Sequence, residues 1–200
     1  MTQSILVAGA TGKTGQILVR DLSDMGHSVI ALVRDSSDTS ALPDSTTLRK
    51  GDLTDLPDDV CKDADVVVFA AGSGGSTGPE MTDKVDREGA MALVDLAKKS
   101  GAQRFVMLSS VGADQSDPSG DLAHYLKAKH DADEHLKASG MTYAILRPVA
   151  LTDDGRSDDV ILGEGVDKSA EASRADVAAV LAKAATSGAF DGQVLEMQSA

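Results

Sequence analysis

Short aliphatic runs alternate along this chain with longer stretches of helical spacing. The runs fall at 4–8, 28–33, 47–50, 65–71, 104–109, 142–147 and 193–197, each bounded by turn residues. They are rich in β-branched side chains, as strands covered on both faces are. Between them, Ile17, Leu18 and Leu22 form one apolar helix face, and Val85, Met91, Val94 and Ala97 a second. Leu122, Leu126 and Leu136 mark a third, and Val177, Val180, Leu181 and Ala184 a fourth. Gly26, Gly101, Gly140 and Gly188 each follow such a segment, where a C-capping glycine is expected. The alternation predicts an α/β fold: one doubly wound parallel sheet with helices on both faces. Such a sheet leaves a crevice at the strand C-termini where the winding reverses.

No linker, internal repeat or coiled coil interrupts the pattern, so residues 1–200 read as one domain with a minimal C-terminal insertion. Three segments are expected as substrate-side loops: 73–79 ("SGGSTGP"), 112–123 and 151–173. The last is acidic and poorly patterned, with one short strand expected at 160–162.

Composition sharpens this picture. Hydrophobic residues make up 42% of the chain but aromatics only 2%, so the core must be Val, Leu, Ile and Ala. The formal charge of −13 argues against nucleic acid or an anionic membrane as partner, since both are polyanions. An acidic surface of this kind suits a high-salt environment or an ordinary acidic protein, and the sequence leaves both open. No secretory signal and no apolar run near the ~20 residues of a membrane span is visible. The single cysteine, Cys61, cannot form an internal disulfide, and a reduced, cytoplasmic protein is the expectation.

Candidate chemistry begins at residues 9–15, "GATGKTG", where Gly9, Gly12 and Gly15 lie directly after the first strand and before the first helix. Such a turn lets backbone N–H groups and a helix N-terminus approach a pyrophosphate, so a dinucleotide is the expected ligand. The next strand ends in Arg34, with Asp35 one place beyond. An acid there would bind a ribose 2′-hydroxyl. A guanidinium suits a 2′-phosphate instead, which favours NADP(H) over NAD(H). Lys13 is the expected second cation, and the competing reading pairs Arg34 with Asp35 or Asp38. Asp52 and Leu53 in "KGDLTD" are placed to edge the adenine, and Ala70, Ala71 and Gly72 in "FAAG" to pass close to a ribose.

The fifth strand ends in Ser109 and Ser110 at the crevice. In the helix that follows, Tyr125 and Lys129 stand at i and i+4, on one face. A nearby ammonium favours the tyrosinate, which equips Tyr125 to give or take a proton beside a carbonyl or alcohol. Lys129 can also bind nicotinamide ribose hydroxyls, while a serine orients the substrate oxygen. The competing reading is an amphipathic surface helix. His27, His124, His130 and His135 show no metal-ligand spacing, and the acids at 131–134 read as a solvated helix face.

"GATGKTG", "ALVRD", "GDLTD", "RFVMLSS", "HYLKAK", "YAILRP" and "SRADVA" appear in this order over nearly the whole chain. With them the chain resembles the short-chain dehydrogenase/reductase superfamily, in its atypical or extended branch of small NAD(P)H-binding Rossmann proteins. It is similar there to NmrA-like and biliverdin-IXβ-reductase-like proteins. The resemblance implies a phosphate loop of Gly9, Thr11, Gly12, Lys13, Thr14 and Gly15, a 2′-phosphate contact at Arg34, and an adenine pocket at Asp52 and Leu53. It implies a ribose wall at Ala70, Ala71 and Gly72 and a catalytic set of Ser110, Tyr125 and Lys129, with Ser109 beside it. Pro148, Val149 and Leu151 would lie against the nicotinamide. The chain departs from the pattern at Ala92, where many relatives carry an asparagine. The implied activity is NADP(H)-dependent hydride transfer on a small carbonyl, alcohol or quinone-like substrate. A cofactor-binding redox sensor without turnover is the alternative, and an epimerase a further one. Monomer and homodimer both stay open.

Overall fold

The strands follow from the aliphatic runs. The computed structural model describes residues 2–74 and 77–200, so Gly75 and Ser76 of the expected 73–79 loop lie outside the described residues, as does Met1. Strands β1 (Ser4–Ala8), β2 (Ser28–Val33), β3 (Thr47–Lys50), β4 (Val66–Phe69), β5 (Arg104–Leu108), β6 (Thr142–Pro148) and β10 (Gln193–Ser199) run parallel in one sheet. Strand β8 (Val160–Leu162) closes it antiparallel to β10, giving the order β3-β2-β1-β4-β5-β6-β10-β8. The chain steps from β1 out to β2 and β3 and then returns to β4 on the other side of β1. That reversal opens the crevice beyond the C-terminal ends of β1 and β4.

Both faces of the sheet are buried, which is why these strands are apolar at successive positions rather than at alternate ones. Ile5 and Val7 point to one face and Leu6 and Ala8 to the other, all fully buried. On the first face lie α1 (Lys13–Asp24) and α5 (Arg174–Ser187), which supply Leu18, Leu22, Val177 and Leu181. On the second lie α3 (Ala90–Ser100) and α4 (Ala123–Ala138), which supply Leu93, Val94, Ala97 and Leu136. Each such Leu or Val side chain contributes about 1.5–3 kcal/mol by leaving water, so the two layers hold the sheet from both sides. Gly101 and Gly188 end α3 and α5 in the left-handed conformation that only glycine adopts without strain.

Two features differ from the expectation. Segment 151–173 carries not one short strand but three: β8, and a separate parallel pair of β7 (Ala150–Thr152) with β9 (Glu171–Ser173). The helix before α3 is irregular: α2 (Pro79–Thr82) passes through a π-helical stretch at Asp83–Gly89 before regular winding resumes. Gly89 lets this stretch lie close against Leu53, because a side chain there would meet the Leu53 carbonyl oxygen at 2.6 Å. Among the described residues, no helix is long and apolar enough to cross a membrane.

Candidate functional site

The glycine turn is shaped first by the chain itself. Gly9 has a φ of +85°, and a Cβ on it would meet the Ala71 nitrogen at 2.6 Å. A Cβ on Gly15 would lie 2.0 Å from the Gly9 carbonyl oxygen. Two of the three glycines therefore let β1, β4 and α1 close on one another. Gly12 is different: it is exposed, its nearest own-chain atom would be 3.3 Å from an added Cβ, and it lines the crevice. It also caps α1 without a side-chain hydrogen bond, so the first-turn amides of α1 have no side-chain cap to satisfy them.

The crevice is a cleft of about 490 Å³. Gly9, Thr11 and Gly12 form one wall, and Ala70, Ala71 and Gly72 the other. At its far end stand Arg34, Ser37, Asp52 and Leu53. A second hollow of about 610 Å³ shares Arg34, Asp52 and Leu53 and continues past Lys84 and Ala92. Ala92 thus stands beside the Arg34 end, not among the groups that surround Lys129. Thr14 is buried and does not line the cleft.

Arg34 is exposed and, among the described residues, has no ion-pair partner. The acids that competed for it are engaged elsewhere. Asp35 lies 3.3 Å from Lys50, and Asp38 accepts the Ser40 amide at 2.9 Å. The Ser37 hydroxyl accepts the Arg34 amide at 3.0 Å and fixes the turn that carries the guanidinium. Asp52 accepts the Thr54 amide and hydroxyl, each at 2.9 Å. The amide hydrogen bond, opposed by partial burial and aided by the Thr54 hydroxyl and Arg34, holds the Asp52 carboxyl below its ordinary range. Lys13 departs from expectation: its ammonium is bonded to Asp153, which Arg174 also holds at 2.6 Å. Segment 151–173 therefore reaches back onto the glycine turn.

Beyond the cleft, α4 brings Tyr125 and Lys129 together. The Lys129 ammonium lies 5.8 Å from the Tyr125 ring centre and 5.4 Å from that of Phe69. It is 3% exposed and lies 3.0 Å from Oδ1 of Asp86, which is itself fully buried in the π-helical stretch. This contact is a buried ion pair. Burial works to strip the proton from Lys129. The Tyr125 oxygen and the Asp86 and Asp133 carboxylates outweigh it and raise the lysine above its ordinary basicity.

The two serines separate. Ser110 is half-buried, and its hydroxyl is 3.3 Å from the Val111 carbonyl. Ser109 does not face the cleft: its buried hydroxyl donates to Asp133 at 2.8 Å. Asp133, expected on a solvated face, is fully buried and takes Arg147 Nε at 3.0 Å. Burial pushes its carboxyl up, against the pull of Arg147 and Ser109. Val149 is likewise a core residue, 3% exposed, with its amide donating to the Met197 carbonyl at 3.0 Å. Pro148 is buried beside it, whereas Leu151 is exposed on β7. Asp86 and Asp133 escape a reading by motif, yet a signal exists. Both share the buried stripe of their helices, Asp86 with Leu93 and Ala97, Asp133 with Ala132 and Leu136. An acid on such a stripe needs a buried cation.

Comparison with known proteins shows the family and the fold. A family model described as NAD(P)H-binding matches residues 9–187. The chain is 36% identical over 156 residues to a Bacillus subtilis protein named "uncharacterized sugar epimerase YhfK", covering 75% of this chain and 73% of that one. A Bacillus halodurans structure, provisionally named an NAD-dependent epimerase/dehydratase, superposes with a TM-score of 0.93 at 32% identity, over 99% of this chain and 94% of that one. The Lactococcus lactis oxidoreductase ylbE superposes with a TM-score of 0.85 at 26% identity, over 98% and 91%.

Proposed function

The chain belongs to the NAD(P)H-binding family of short-chain dehydrogenase/reductase-like Rossmann proteins, and on that premise we propose that it is an NADP(H)-dependent oxidoreductase. The observation that carries the choice of cofactor is Arg34, a guanidinium left without an ion-pair partner among the described residues at the end of the cleft, in a chain of net charge −13. Acids outnumber bases here by 32 to 19, so an unpaired cation at a ligand cleft marks a place for a ligand's negative charge.

The residues present fit the cofactor. The uncapped α1 amides and the bare Gly12 would hold its diphosphate, Arg34 and Ser37 its 2′-phosphate, and Asp52 and Leu53 its adenine edge. Ala70, Ala71 and Gly72 would take a ribose without a side chain in the way. The nicotinamide supplies the hydride when bound. Tyr125 exchanges the proton with the substrate oxygen, Ser110 donates a hydrogen bond to that oxygen, and the Lys129 ammonium stands beside the Tyr125 ring. Substrates in this reading are small carbonyls, alcohols or quinones, because 151–173 adds only three short strands to the Rossmann core. That small addition also weighs against an epimerase acting on a bulky sugar nucleotide.

NADPH oxidation measured against a panel of carbonyls and quinones tests the reading. Wild-type protein turns over at least one class, and Tyr125→Phe slows it by about 10²-fold or more, the usual share of general acid–base catalysis. Equal turnover by the two proteins removes Tyr125 from the mechanism. Tight NADPH binding with no turnover across the panel assigns the chain to the sensor reading instead.

A further inference from the structure

Asp86 has no part in the proposed chemistry, yet it is the least expendable acid near it. Its carboxylate is fully buried and uses both oxygens on two different elements. Oδ1 lies 3.0 Å from the Lys129 ammonium on α4. Oδ2 accepts the Ser73 amide at 2.9 Å, and Ser73 lines the nucleotide cleft. Gly72 is part of the same fit, since a Cβ there would lie 3.3 Å from Oδ1. The π-helical winding of Asp83–Gly89 accompanies this placement, and such irregular turns recur at functional sites.

We propose that Asp86 is the positioning residue for Lys129, fixing the ammonium beside Tyr125 and tying it through the Ser73 amide to the wall of the nucleotide cleft. The proposal rests on the reading of Tyr125 and Lys129 as the proton-handling pair. Asp86 touches no substrate in it and acts only through Lys129 and Ser73. A buried ammonium without a counter-charge sheds its proton, so the carboxylate keeps Lys129 charged. The other groups facing that ammonium are the Tyr125 and Phe69 rings, the Leu108 carbonyl at 3.4 Å, and the Asp133 carboxylate, which Arg147 already neutralises. Asp86 is therefore the carboxylate free to balance Lys129.

The test reads Lys129 directly, without cofactor. In protein labelled with ¹³C and ¹⁵N at the lysine side chains, and with the signal assigned by its loss in Lys129→Met, the ammonium is titrated by NMR. Asp86→Asn lowers the Lys129 midpoint by one pH unit or more, and Asp86→Glu restores it toward wild type. Coincident midpoints in wild type and Asp86→Asn overturn the proposal. Should Asp86→Asn fail to fold, adding Lys129→Met removes the stranded ammonium and restores folding; a double variant that stays unfolded contradicts the pairing. The tie to the cleft is read by NADPH calorimetry. Asp86→Asn keeps an oxygen for the Ser73 amide and Asp86→Ala does not, so Asp86→Ala weakens NADPH at least fivefold more than Asp86→Asn. Equal weakening overturns the tie. If wild-type protein binds no NADPH, the cofactor reading fails, while the titration still decides whether Asp86 governs Lys129.

Discussion

Gly12 and Gly15 share a motif but have different reasons to be glycine. At Gly15 an alanine would drive its methyl group to 2.0 Å from the Gly9 carbonyl oxygen, a backbone atom held between β1 and α1. Gly15→Ala is therefore expected to prevent folding or lower stability by several kcal/mol, as overpacking against backbone does. At Gly12 the added methyl group meets the chain at 3.3 Å and the backbone is extended, with φ −75° and ψ 164°. Gly12→Ala should keep stability within about 1 kcal/mol of wild type while weakening NADPH, because its methyl group enters the cleft. Urea unfolding and calorimetry on the two variants check this; equal loss of stability in both contradicts it. The same scale shows what a sequence reveals. Arg34, Tyr125 and Lys129 can be singled out because their meaning lies in spacing along the chain. Asp86 and Asp133 show only as acids on an apolar helix stripe and carry no motif, because their partners Lys129 and Arg147 lie 43 and 14 residues away. Lys13 misleads for the same reason, its partner Asp153 being 140 residues distant.

At the scale of elements, α5 shows how one acid fastens the segment 151–173 to the sheet edge. Ser173 caps the helix by accepting the Asp176 amide at 3.0 Å, so "SRAD" is an N-cap followed by an acid in the first turn. The Asp176 carboxylate, 1% exposed, then accepts Ser157 Oγ at 2.9 Å and Ser199 Oγ at 2.6 Å, plus the Ser157 amide at 3.0 Å. Burial alone would push this carboxyl up, but the hydrogen bonds from Ser199, Ser157 and Ser173 outweigh it and hold it below the ordinary value. A depressed carboxyl stabilises the fold above its unfolded pKa of about 3.9, and that contribution fades as pH falls through the folded value. Asp176→Asn should cost about 2 kcal/mol at pH 7, the scale of hydrogen bonds to a charged group, and progressively less below pH ~4. Urea denaturation at both pH values checks this, and a gap that widens in acid contradicts it. The seven long strands are legible because each holds four or more residues between turn residues, long enough for a pattern. Strand β8 shows in the sequence as the short aliphatic run 160–162, whereas β7 and β9 hold three residues each and pair with each other across some twenty residues. No local periodicity announces them.

Over the whole molecule, charge is the dominant peculiarity. A net charge of −13 on 200 residues repels itself, and most of the ion pairs that offset it are at least partly exposed and individually weak. Salt shortens the range of that repulsion from about 30 Å at 0.01 M to about 3 Å at 1 M. The melting temperature should therefore rise with sodium chloride across this range; a steady fall would show that specific ion pairs outweigh the net repulsion. Against this acidic background the proposed site for a phosphorylated cofactor depends on a few placed cations and amides, among them Arg34 at the end of the cleft. The most direct measurement is calorimetry of NADPH and NADH with wild-type protein and Arg34→Glu. Wild type should bind NADPH at least tenfold more tightly than NADH, about 1.4 kcal/mol, and Arg34→Glu should erase the difference. No heat with either nucleotide, or a loss on Arg34→Glu that is the same for both, would contradict the account.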